Sequence, residues 1–100
     1  MKFVYEPALL AYMNEKGHHN LSLEVASSNA SDFEVTELYL RFVSDKDALF
    51  LENRKHYHCV KTEVGKVLLP PYRLAYDDTV TLGLKRYWIF KKLTFKGVHL

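Results

Sequence analysis

One hundred residues, 48% of them apolar and 14% aromatic, predict one cooperative domain with no room among them for a second, and exclude a disordered or low-complexity chain. The formal net charge of +2 hides a split between the halves. Residues 1–50 hold four Lys/Arg against eight Asp/Glu and residues 51–100 hold ten against four, a balance that attracts a polyanion or lets two faces complement each other or a second subunit. A lone cysteine, Cys59, excludes an internal disulfide, and MKFVYEPALL has no apolar run for a secretory signal or a membrane span, so the expectation is a reduced, cytoplasmic protein with no membrane association.

Lys2 to Tyr5 are good strand formers and open the chain. Glu6-Pro7 then starts a helix of about ten residues, because proline lacks the N–H that the first turn leaves unpaired and Glu6 puts negative charge at the positive end of the dipole. Leu9, Leu10 and Met13 share its face, and Gly17 supplies the left-handed stop. His18, His19 and Asn20 form the exit turn, where adjacent histidines are solvated cap residues more readily than metal ligands. Leu21, Leu23 and Val25 alternate with Ser22 and Glu24 as a strand with one wet face. Ala26 to Asp32, small and polar, read as a surface loop.

Phe33 to Val43 return to strand character, with a change of parity around Thr36-Glu37 that predicts a bulge or bend. Ser44 to Asp47 form a turn, or the N-cap of a short helical turn through Leu51. His56 to Thr62 and Val67 to Leu69 predict a hairpin, which Pro70-Pro71 ends. Asp77-Asp78 predict a turn into a closing unit. In it Val80, Leu82 and Leu84 alternate, Tyr87-Trp88-Ile89-Phe90 make an aromatic turn, and Leu93 and Phe95 face inward from a second strand.

Chemistry-bearing groups are few. On a regular strand His56 and His58 point the same way, about 7 Å apart, and two such ligands could share zinc if a third arrived from elsewhere. Cys59 then points to the opposite face, where a small buried hydrophobe is its commoner role. Neither histidine faces Cys59, so a nucleophilic pair is not formed, and the sequence has no P-loop, dinucleotide fingerprint, CxxC or HExxH. Lys85 to Lys96 carry five cations, four aromatics and no acid, the makings of a single-strand nucleic-acid surface. Alternation puts Leu93 and Phe95 opposite Lys92, Thr94 and Lys96, however, and so favours a core strand with a solvated lysine face.

The order of EPALLAYMNEKGHHNLSLEV, EVGKVLLP, YDDTVTLGLKRYWIFKKL and FKGV resembles the HesB-like domain of the iron-sulfur cluster biosynthesis family, most of all its short variants in low-GC Gram-positive bacteria. The resemblance covers nearly the whole chain and implies an α+β, mostly β fold, with mixed sheets packed around one N-terminal helix as a single domain over residues 1–100. In the carrier branch it implies cysteine ligands for iron or a cluster in the loop after the second strand and near the C-terminus; in the short variants it implies an adjacent cysteine pair in that loop. This chain has Ser27, Ser28, Asn29, Ala30 and Ser31 in the loop and Phe95 to Leu100 at the end, so every expected thiolate is absent. A serine hydroxyl stays protonated near neutral pH and lacks the soft sulfur that clusters require.

The expected function is therefore that of a non-enzymatic, divergent HesB-like domain without a cofactor, a module for binding a protein partner or a small ligand. Exposed edges and the aromatic closing unit are compatible with a homodimer. One alternative relocates iron, iron-sulfur or zinc binding to His56, His58 and Cys59, aided by His18, His19 or His99. A second gives the basic C-terminal half to nucleic acid, which the alternation disfavours.

Overall fold

The computed structural model describes the backbone of residues 1–30 and 33–100, and the side chains of all but residues 28–35. Its elements are β1 (Lys2–Tyr5), α1 (Pro7–Lys16), β2 (Asn20–Ala30), β3 (Phe33–Val43), α2 (Asp45–Arg54), β4 (His58–Lys61), β5 (Lys66–Leu69), β6 (Ala75–Tyr87) and β7 (Phe90–His99). They form a three-stranded sheet in the order β1-β6-β7 and a four-stranded sheet in the order β3-β2-β5-β4. Both sheets are mixed: β1 runs parallel to β6 and β2 parallel to β5, while the β2–β3, β4–β5 and β6–β7 pairs are antiparallel. This is a mostly-β α+β architecture.

The four-stranded sheet is covered on both faces, and strand periodicity assigns its residues to them. Leu21 and Leu23 of β2, Leu40 of β3, and Val67 and Leu69 of β5 meet Leu9 and Met13 of α1 and Val80, Leu82 and Val98 of the other sheet in the main core. On the opposite face Val43 and Leu68 pack with Ala48 and Leu51 of α2, and Cys59 and Tyr57 lie against this second cluster. Val67, Leu68 and Leu69 are all buried. That is why β5 is a continuous apolar run, as expected of a strand buried on both faces.

The local signals behave as the sequence predicts at α1, where Pro7 sits in the first turn and Gly17 closes the helix at φ 72. Ser44 caps α2, its Oγ accepting from the Asp47 N–H at 3.1 Å. The helix runs for ten residues, well beyond the single turn expected, and Asp45 and Asp47 complement its dipole. Packing of Ala48 and Leu51 against Leu68 supplies the remaining stabilisation.

Three expectations are corrected. Ala26 to Ala30 belong to β2 and pair residue by residue with Phe33 to Glu37, because small polar side chains offer no steric obstacle to a ladder that satisfies the backbone. The same ladder runs without a register shift from Asn20↔Val43 to Ala30↔Phe33, so there is no bulge at Thr36-Glu37. Asp77 and Asp78 lie within β6, where a register shift between Tyr76 and Thr81 bulges the strand against β7. Opposite it Gly97 adopts φ +96, and a Cβ there would lie 2.6 Å from the Thr79 carbonyl oxygen. Glycine thus admits the bulge that the acidic pair occupies.

Candidate functional site

The proposed metal ligands do not share a face. His56 lies beyond the end of α2 with a left-handed φ of 60, outside β4, so the strand geometry that would have aligned it with His58 does not exist. His58 is exposed at the start of β4, while Cys59 is half-buried beside Val43, Ala48, Leu51 and Leu68. Burial, with the Glu52 carboxylate close by, pushes the Cys59 thiol up and disfavours the thiolate that would bind metal. His18 stacks on Phe42 with centroids 4.2 Å apart, and His99 meets Asp77 at 3.1 Å at the bulge. Among the described residues no three His, Cys, Asp or Glu side chains gather as a metal centre.

The serine-rich stretch is likewise part of the ladder. Ser27 pairs with Thr36, their hydroxyls 3.5 Å apart, and Ser28 and Asn29 continue the strand. Ser31 lies outside the described residues. Iron-sulfur clusters are held by several thiolates, whereas this chain has one cysteine, which packs under α2.

Two features escape the sequence pattern. The first is a polar network on the α2 side of β2, centred on Glu24, whose side chain is only 13% exposed. Ser22 Oγ donates to Glu24 Oε1 at 2.6 Å, Tyr57 OH donates to Oε2 at 3.3 Å, and Arg41 Nε lies 3.6 Å from Oε2. Burial, and then donation to this carboxylate, push the Tyr57 phenol up to about 12. Alternation of Ser22 and Glu24 signals a polar face; that α2 and Tyr57 would cover it depends on packing.

The second is the β6–β7 tip. Tyr87 pairs with Phe90 around the two-residue turn Trp88-Ile89, and Trp88 has a positive φ of 55. These apolar side chains do not fill the core: Trp88 is 100% exposed, Ile89 87% and Phe90 70%. The hairpin outruns the body that its lower half covers, leaving the turn exposed. Beside it, β3 and β7 border an open cleft of about 630 Å³ with Leu38, Phe42, Leu93 and Phe95 in its lining and Arg41 and Lys92 among its cations. No helix among the described residues is long and apolar enough to cross a membrane.

No family model matches the chain, and no curated protein matches it. Among solved structures, it is similar to the crystal structure of Escherichia coli SufA, a protein involved in the biosynthesis of iron-sulfur clusters. The two share 15% identity with a TM-score of 0.55, over 96% of this chain and 80% of that one. With its two mixed sheets and two helices, the chain has a HesB-like fold.

Proposed function

We propose that this chain is a divergent HesB-like domain that has given up cluster carriage and acts without catalysis, as a module that binds a protein partner or a small ligand. The observation that carries this reading is the place of the single cysteine. Cys59 is packed against the second core, where burial pushes its thiol up and disfavours the thiolate, and a cluster needs several thiolates. SufA is involved in iron-sulfur cluster biosynthesis; the shared fold supports the HesB-like part of this reading, and the single cysteine supports the departure from cluster carriage.

The non-catalytic part of the reading rests on Glu24. Its two oxygens are engaged by Ser22, Tyr57 and Arg41, so the carboxylate ties β3 and the segment that follows α2 to β2 and is not free to act as a general base. Anaerobic reconstitution with iron and sulfide tests the proposal. The expected product is folded, colourless protein without stoichiometric iron. Stoichiometric iron with a charge-transfer band, lost in Cys59→Ser or His58→Ala, would refute it.

A further inference from the structure

We infer that the β6–β7 tip is a membrane-docking point that inserts Trp88, Ile89 and Phe90 into the surface of an anionic lipid bilayer. Exposed apolar side chains are common singly, but here three consecutive ones, 100%, 87% and 70% exposed, stand at the end of a hairpin with Tyr87 beside them. Trp88 holds a positive φ, a conformation that side chains of its size rarely adopt, so the turn presents its indole outward at the expense of the backbone.

The charge around the tip selects the occupant. Lys85, Arg86, Lys91 and Lys92 are all exposed and flank the apolar turn on both arms, and no Asp or Glu occurs from Thr79 to Leu100. Register pairs Lys85 with Lys92 and Arg86 with Lys91, so successive cation pairs fall on opposite faces of the hairpin. Lys85 Nζ lies 5.3 Å from the Tyr87 ring on one side, and Lys91 Nζ lies 4.4 Å from the Tyr12 ring on the other. The result is an apolar point inside a collar of positive charge. A flat anionic surface meets that collar from every side as the point enters it, with indole and phenyl rings at the headgroup level. A nucleic acid lying along one face would engage half of the cations and leave the apolar turn in water. The expectation of no membrane association came from the lack of a spanning segment, and a docking tip needs none.

Trp88 is the only tryptophan, so its fluorescence reports the tip directly. The protein is titrated with vesicles of phosphatidylcholine containing about one-third phosphatidylglycerol, a composition chosen to give a negative surface. The expected result is a blue shift, quenching by brominated acyl chains and co-sedimentation, all weakened by salt and by removal of the anionic lipid. Ile89→Ser with Phe90→Ser, which keeps the reporter, lowers partitioning by about tenfold or more. Lys85→Gln, Arg86→Gln and Lys92→Gln together lower it by about a hundredfold, at about fivefold per cation. These positions are exposed, and unchanged circular dichroism would confirm that the variants fold. The inference is overturned if anionic vesicles leave the Trp88 spectrum and sedimentation of the folded protein unchanged. It is equally overturned if the blue shift follows protein concentration alone, showing a second copy on the tip, or appears only with added nucleic acid.

Discussion

Asn20 holds three segments together, and removing its side chain should loosen the α2 layer from the sheet. It is 3% exposed, its Nδ2 donates to Asp45 Oδ1 at 2.7 Å, and its Oδ1 accepts from the Lys66 N–H at 3.1 Å. Asn20→Ala loses a hydrogen bond to a carboxylate, worth about 1.5 kcal/mol where that carboxylate is exposed, and strands a backbone donor at a further cost of about 1–3 kcal/mol. The sum of about 3 kcal/mol is a large part of the 5–15 kcal/mol typical of a domain and lowers Tm by roughly 15 °C at this size. Asn20→Asp separates the two contributions, since it keeps the acceptor for Lys66 but sets a second carboxylate against Asp45. Burial and like charge hold the introduced carboxyl above its ordinary pKa. The folded variant therefore binds a proton more readily than the unfolded chain, and its stability falls as pH rises through the carboxylate range and recovers on acidification. Urea unfolding followed by circular dichroism at neutral and mildly acidic pH measures both variants against the wild type. An Asn20→Ala variant within about 0.5 kcal/mol of wild type, or an Asn20→Asp deficit that does not change with pH, would refute the reasoning.

The Glu24 network makes a prediction at the alkaline end. A phenol raised from 10.0 to about 12 contributes stability that is complete below pH 10 and is lost as pH rises toward 12. Ultraviolet titration against Tyr57→Phe should assign the late phenolate step to Tyr57, and Glu24→Gln should bring it earlier; an unshifted step would exclude the network as its cause. At the hairpin tip, Trp88→Asn places a residue tolerant of left-handed backbone at φ 55 and should stabilise the fold by about 0.5–1 kcal/mol while weakening vesicle binding. A drop in thermal stability would show that the indole supports the fold. Gly65→Ala would drive a Cβ into the backbone carbonyl of His19 and should cost about 2–3 kcal/mol. Gly17→Ala meets open space and should cost only about 1 kcal/mol for its left-handed backbone. Denaturation of the two variants side by side checks the order, and equal losses would contradict the contact at Gly65.

By itself the sequence determined the elements whose signals lie within a few residues of one another. Pro7 and Gly17 bracket α1, Ser44 opens α2, β4 and β5 pair as a hairpin that ends before Pro70, and Val80, Leu82, Leu93 and Phe95 alternate toward the body. It also determined, by holding one cysteine, how little thiolate chemistry the chain can support. Tertiary structure alone decided which of those surfaces would be covered. Ser27 to Ala30 look like a loop until β3 supplies their ladder, and Asp77-Asp78 look like a turn until Gly97, about twenty residues on, opens a bulge for them. His56 and His58 look aligned until the end of α2 twists one of them out of the strand. Glu24 gains partners from Arg41 and Tyr57, and Trp88, Ile89 and Phe90 are left exposed, because pairing between distant strands fixes where the body of the domain ends. A periodic pattern says which side chains share a face; only the packed chain says whether that face meets protein or water.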